Sequence, residues 1–211
     1  MRPLRIALTK GRLEKKAVEI FEAAGMDCTE MHNAGRKLLI DLQGGMQCVL
    51  AKAPDVLTYV EYGVCDIGIV GKDTILEYGK SFYEVLDLGF GKCRFSVAGK
   101  AGNDFYSGHT RKKIATKYPV VARNHFLKKG IDVEIIKIEG SVELAPILGL
   151  ADAIVDLVET GNTLKENGLS VYEDICNISA RMIVNVASMK MRHSELDLFI
   201  TKIKKVQGGV T

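Results

Sequence analysis

Gly63-Val64-Cys65-Asp66-Ile67-Gly68-Ile69-Val70 has a counterpart in Gly149-Leu150-Ala151-Asp152-Ala153-Ile154-Val155. Each stretch follows a helical pattern, opens Gly-x-x-Asp and enters an apolar run of the kind that a strand buried on both faces needs. Each then leads into a loop with glycine and hydroxyl or acidic residues, Gly71 to Thr74 in the first case and Glu159 to Thr163 in the second. Two αβ units can look alike by chance. If the likeness instead reflects a repeated unit, the chain is α/β, with two similar lobes around a cleft and ligands held at the carboxyl ends of the strands.

The rest of the chain alternates in the same way. Arg5 to Leu8 reads as a strand. Leu13, Ala17, Ile20, Phe21 and Ala24 then mark one helical face, with Gly25 as its stop. Lys37 to Asp41 and Met46 to Leu50 form a hairpin around Gly44-Gly45. Asp55 is placed to cap a helix that runs to about Tyr62, and Lys72 to Tyr78 reads as another. Strands follow at Val85 to Leu88, Cys93 to Ala98, Lys113 to Thr116, Val133 to Ile138 and Ala153 to Val158. Helices are expected from Pro119 to about Lys129 and from Ser141, as N-cap, to Leu148. Tyr172 to Val186 looks extended, and Ser194 to Val206 is an amphipathic helix.

The 211 residues are enough for one to two small domains. Apolar residues at 47% and charged residues at 26% exclude a disordered chain. No apolar run approaches the ~20 residues of a membrane span. A net charge of +3 is too balanced to point to nucleic acid. Cys28, Cys48, Cys65, Cys93 and Cys176 are scattered, with no Cys-x-x-Cys pair, and the His residues show no ligand spacing. Neither a zinc site nor a disulfide framework is expected. The charged start at Met1 to Lys10 lacks the apolar core of a signal peptide, which favours the cytoplasm.

The strongest chemical signal is Asp156 to Leu164, where an apolar strand delivers Glu159-Thr160-Gly161-Asn162-Thr163. Hydroxyls, unshielded backbone N–H groups and a helix start at Leu164 suit a phosphate group. An ordinary capped strand-to-helix turn has the same composition. Walker spacing is absent. Thr9-Lys10-Gly11-Arg12 opens the first helix and is either a second anion site or a solvated turn. Arg36, Lys37 and Lys52 flank the hairpin and either reach toward a ligand or are simply solvated. Gly89-Phe90-Gly91 is a hinge, a wall for a flat base, or a turn with a packed ring. Asp66 and Asp152 read as capping or salt-bridging residues. No nucleophile–base pair stands out, so the chemistry reads as positioning and charge neutralisation.

Six ordered blocks carry a resemblance that runs through nearly the whole chain. They are Ile6 to Leu13, Tyr59 to Asp73, Asp87 to Cys93, Ile114 to Pro119, Glu139 to Pro146 and Asp156 to Leu164. Together they resemble the short-form catalytic subunit of ATP phosphoribosyltransferase. The resemblance implies a fold like that of type II periplasmic binding proteins, with lobe I at 1–90 plus 174–211 and lobe II at 91–173. It implies transfer of the 5-phosphoribosyl group from 5-phosphoribosyl 1-diphosphate (PRPP) to N1 of ATP, with inversion and release of diphosphate. Mg²⁺ is implied as cofactor, bound with the substrate phosphates.

By the same resemblance, Glu159, Thr160, Gly161, Asn162 and Thr163 hold the PRPP 5-phosphate, while Glu143 and Asp156 make ribose or metal-linked contacts. Lys10 and Arg12 meet polyphosphate, Arg36 and Lys52 lie near the reacting phosphates, and Gly89, Phe90 and Gly91 border the nucleotide. One departure stands out. Where the family commonly reads Arg-Pro-x-Asp, this chain reads Lys52-Ala53-Pro54-Asp55. Lys keeps the charge but loses the bidentate fork, and Pro54 is expected to hold Ala53 extended.

The resemblance further implies a homodimer that joins a regulatory subunit similar to a histidyl-tRNA synthetase. The long form's C-terminal regulatory domain finds no room after the last helix and Gly208-Gly209-Val210-Thr211. No nucleic acid or membrane partner is implied. The rivals are a non-catalytic solute-binding protein, a ligand-sensing domain and another class of phosphoribosyltransferase. That other class carries two consecutive acidic residues before its Thr-rich loop, where this chain has Val158-Glu159.

Overall fold

The computed structural model describes residues 2–79, 81–108 and 110–208. The expectations that touch Met1 and Gly209 to Thr211 lie outside the described residues. The chain divides into two compact units. Unit 1 runs up to Gly91 and resumes at Ser179, and unit 2 is Lys92–Ile178. The return crossing falls later than the expected residue 174, because a strand of unit 2 keeps its pairing as far as Ile178.

In chain order, unit 1 contains β1 (Leu4–Thr9), α1 (Arg12–Ala23), α2 (Thr29–His32), β2 (Leu39–Leu42), β3 (Met46–Ala51), α3 (Ala53–Glu61), β4 (Ile67–Gly71), α4 (Lys72–Tyr78) and β5 (Tyr83–Asp87). Unit 2 follows with β6 (Cys93–Lys100), β7 (Lys112–Thr116), α5 (Pro119–Lys128), β8 (Val133–Lys137), α6 (Leu144–Ile147), β9 (Ala153–Val158), α7 (Asn162–Glu166) and β10 (Leu169–Ile178). The chain then returns to unit 1 as β11 (Ala180–Val184), α8 (Val186–Met191) and α9 (His193–Gly208).

Unit 1 is built on a six-stranded sheet ordered β2-β3-β1-β4-β11-β5. β1 runs parallel to both β3 and β4. One face buries Leu4, Ile6 and Leu8 with Phe21, Met182, Phe199 and Ile203. The other buries Ala7, Val70 and Ile183 with Val56, Leu57 and Val60 of α3. A strand covered on both faces must be apolar throughout, which is why β4 shows no polar alternation. At the β2–β3 hairpin, Gly44 and Gly45 have φ of 78° and 74°. The loop between the paired Leu42 and Met46 is three residues long, Gln43 to Gly45, and glycine takes such positive φ at little cost.

Unit 2 is a five-stranded sheet ordered β10-β6-β9-β7-β8, with β7 parallel to both β8 and β9. Phe95, Ile114, Phe126, Ala153 and Val155 pack on one face. Ala98, Ala115, Val142, Ile154, Val158 and Leu164 pack on the other.

Local chemistry revises four expectations. α3 starts at Ala53, so Asp55 lies in its first turn and is not its cap. The extended residue is Lys52 (φ −70°, ψ 151°), and Ala53 is already helical. α6 is one turn long and Ser141 is not its N-cap. Pro146 has no N–H to donate to Val142, and the segment begins with four-residue turns, closed by the Leu144 N–H on the Ser141 carbonyl and by the Ala145 N–H on the Val142 carbonyl. The run 172–186 is two strands broken at Ser179 and followed by α8, whose N-cap Asn185 accepts from the Ser188 N–H. α2 and α8 were not foreseen.

Candidate functional site

The expected cations of unit 1 gather at one end of its sheet. β1 and β3 are in parallel register, with Thr9 opposite Ala51, and the Lys10 N–H donates to the Ala51 carbonyl at 2.9 Å. Lys10 and Lys52 therefore leave neighbouring strands side by side. β2 is antiparallel to β3, and the Leu50 N–H bonds the Leu38 carbonyl. Arg36, just before β2, thus stands at the same end. Arg12 opens α1 after Gly11, whose N–H donates to Glu14 Oε2 at 2.9 Å. All four cations are exposed. The carboxyl end of parallel strands is where open α/β sheets bind ligands.

A second group forms in unit 2. Glu143, Asp156, Leu157, Val158, Glu159, Thr160, Gly161, Thr163 and Leu164 line a pocket of ≈ 240 Å³. Six of the seven residues expected to hold the phosphoribosyl group thus share one concavity. The seventh, Asn162, starts α7 outside that lining, and its N–H donates to Thr160 Oγ1 at 3.4 Å. Gly161 turns the chain between β9 and α7 with φ of 82°, a conformation that costs glycine little. The first N–H groups of a helix have no acceptor within it, so α7 presents donors here.

Asp156 is the electrostatically distinctive residue. Burial pushes its carboxyl up to about 6. The Leu157 N–H opposes that shift, the Glu143 carboxylate adds to it, and Lys117 opposes it. Lys117 is a neighbour that the sequence reading did not single out.

Gly89, Phe90 and Gly91 belong to the end of unit 1. Phe90 packs against the core beneath α1, and its carbonyl accepts from the Ala180 N–H at 2.9 Å.

The sequence echo has a physical basis. In unit 1, the Asp66 N–H donates to the Arg5 carbonyl at 2.9 Å, and Asp66 Oδ2 accepts from the Arg5 N–H at 2.9 Å. In unit 2, the Asp152 N–H donates to the Lys113 carbonyl at 2.8 Å, and Asp152 Oδ2 accepts from the Lys113 N–H at 2.7 Å. Each Asp is a two-point clamp that registers its strand on the parallel neighbour. Neither is placed to react. Asp66 is also paired with Arg2 at 2.8 Å and with Arg192 at 3.0 Å. Burial alone would raise its carboxyl, but the Arg5 N–H, Ser188 and Arg2 together hold it below the usual carboxylate range.

Comparison with known proteins gives a consistent picture. The family model described as "HisG: ATP phosphoribosyltransferase" matches residues 52–205. An ATP phosphoribosyltransferase of Clostridium kluyveri is 69% identical over 204 residues, covering 96% of this chain and 93% of its own. One of Clostridium acetobutylicum is 65% identical over 202 residues, covering 95% and 94%. Among solved structures, a chain of the ATP phosphoribosyl transferase (HisG:HisZ) complex from Thermotoga maritima superposes with TM-score 0.83 at 35% identity, covering 96% of this chain and 98% of that one. The periplasmic aliphatic sulphonate binding protein SsuA of Escherichia coli superposes with TM-score 0.60 at 11% identity, covering 98% and 72%. That last likeness shows the fold alone.

Proposed function

The chain belongs to the ATP phosphoribosyltransferase family, and from that premise we propose how its own residues serve the reaction. The enzyme is a pentosyltransferase that moves the 5-phosphoribosyl group from PRPP to N1 of ATP and releases diphosphate, the first step of histidine biosynthesis. Adenine N1 attacks through a lone pair and carries no proton to remove, so a general base is not required. The barrier lies in a cationic ribosyl centre and a departing diphosphate, and both respond to placed charge.

In this reading the pocket of unit 2 is the phosphoribosyl subsite. Thr160, Thr163 and the N–H groups around Gly161 and Asn162 bind the 5-phosphate, while Asp156 and Glu143 orient the ribose hydroxyls. Lys10, Arg12, Arg36 and Lys52 bind polyphosphate, and Gly89, Phe90 and Gly91 border the adenine. The observation that carries the reading is the gathering of Glu143, Asp156, Glu159, Thr160, Gly161 and Thr163 around one pocket.

Mg²⁺ belongs to the same proposal. It binds through hard oxygen donors and keeps several waters, so substrate phosphates and the pocket's carboxylates are ligands of the right chemistry. When bound, it neutralises charge on the diphosphate. We also place the reaction in the cytoplasm and the chain in a homodimer that joins a regulatory subunit resembling a histidyl-tRNA synthetase. The likeness to a chain of the Thermotoga HisG:HisZ complex supports the assembly. No helix among the described residues is long and apolar enough to cross a membrane.

Diphosphate release from ATP plus PRPP, followed with and without the regulatory subunit, tests the activity. Thr160→Ala and Thr163→Ala test the loop. Each variant should raise the KM for PRPP by removing a hydrogen bond to a charged group, worth about 1.5–3 kcal/mol. Unchanged PRPP dependence in both would remove the loop from the site.

A further inference from the structure

The phosphoribosyl pocket has a charge problem. Its lining holds three carboxylates, Glu143, Asp156 and Glu159, and no Lys, Arg or His among the described residues. PRPP is itself strongly anionic. Hydroxyls and backbone N–H groups can shape a phosphate site, but they bring no net charge to offset three carboxylates.

The repeat within the fold points to the missing cation. In unit 1, Thr9 at the end of β1 donates its hydroxyl to the Ile69 carbonyl at 3.0 Å, and Lys10 follows. In unit 2, Thr116 at the end of β7 donates its hydroxyl to the Val155 carbonyl at 2.6 Å, and Lys117 follows. Ile69 and Val155 stand three residues after the clamping Asp66 and Asp152, so the two carbonyls are equivalent. β1 carries its Thr-Lys pair one residue further along the strand than β7 does, since Leu8 faces Ile69 where Thr116 faces Val155.

The register then fixes where Lys117 stands. Thr116 pairs with Val155 across parallel strands, so Lys117 leaves the end of β7 beside Asp156, which stays in β9 and pairs with Ser96 of β6. Thr116 is fully buried, and its hydroxyl also accepts from the Tyr118 N–H at 2.8 Å, which fixes the backbone on both sides of Lys117.

We infer that Lys117 supplies the positive charge with which this carboxylate-lined pocket holds an anionic phosphoribosyl substrate, as Lys10 does for polyphosphate in unit 1. The inference rests on reading the pocket as the phosphoribosyl subsite. The influence of Lys117 on the Asp156 carboxyl, opposite in sign to that of Glu143, supports it.

Steady-state kinetics on the full chain, assayed with its regulatory subunit, test it. Lys117→Met should raise the KM for PRPP about tenfold, equivalent to about 1.4 kcal/mol, with the KM for ATP and the urea midpoint unchanged. Lys117→Arg should restore most of the affinity, because charge at this position is what matters. An unchanged PRPP KM in Lys117→Met overturns the inference. So does a parallel rise in both KM values with a lowered urea midpoint, which is the signature of a structural role. Thr163→Ala separates this inference from the reading beneath it. If Thr163→Ala raises the PRPP KM and Lys117→Met does not, Lys117 alone is misassigned. If Lys117→Met raises it and neither loop threonine does, the cation stands and the loop assignment falls.

Discussion

Asp156 shows how much one carboxylate's surroundings decide. Its carboxyl is raised to about 6 by burial, with Glu143 adding and Lys117 opposing, so it titrates just below neutral pH. An ionised carboxylate only accepts hydrogen bonds, and ribose hydroxyls donate them. kcat/KM for PRPP should therefore fall as pH drops through about 6, and Asp156→Asn should lower activity and abolish that limb. A limb that survives unaltered in Asp156→Asn would assign it to another group, such as a substrate phosphate. The sign for stability is opposite. A carboxyl raised in the folded state favours folding most below its ordinary value of 3.8, and that contribution is lost as pH rises through about 6. The strand-to-loop pattern of the sequence puts Asp156 just ahead of the Glu159 to Thr163 loop, and the structure has it in β9 and in the same pocket lining as that loop. The pattern did not reveal Lys117, because residues 117 and 156 become neighbours only through the register of β7 on β9.

The paired clamps show one motif at two costs. Asp66 is fully buried and answers two arginines, whereas Asp152 is exposed to solvent. Removing one partner from a buried ion pair costs about 3–5 kcal/mol, because the other charges stay behind uncompensated. Losing an exposed side-chain bond costs about 1 kcal/mol. Urea unfolding should therefore show a much larger loss for Asp66→Ala than for Asp152→Ala, and equal losses would mean that the arginines relax into water. Elements bounded by glycine or by strong apolar runs, such as β4, α4 and β9, were legible from sequence. α6 was not, because the helical pattern from Ser141 to Leu148 says nothing of the N–H that Pro146 lacks. α3 was misread at its start because Asp55 is a good cap by type, while Pro54 is equally at home in a first helical turn.

Each of the two units owns a sheet, and each sheet has apolar clusters on both faces. The covalent path crosses between them only twice, at Gly91–Lys92 and at Ile178–Ser179. A unit with its own core and few chain crossings has the makings of an independently stable body. Chains built this way commonly depart from a single two-state transition. Asp66→Ala offers a way to see this, since every partner of Asp66 described above, Arg2, Arg5, Ser188 and Arg192, lies in unit 1. In native-state hydrogen exchange, the variant should lose protection in β1, β3, β4 and β11 while β7 and β9 keep theirs. Opening free energies that fall by the same amount in both units would instead make the whole chain one cooperative body. In that case a weakened clamp in unit 1 would also loosen the pocket of unit 2, and Asp66→Ala would raise the KM for PRPP without touching a pocket residue.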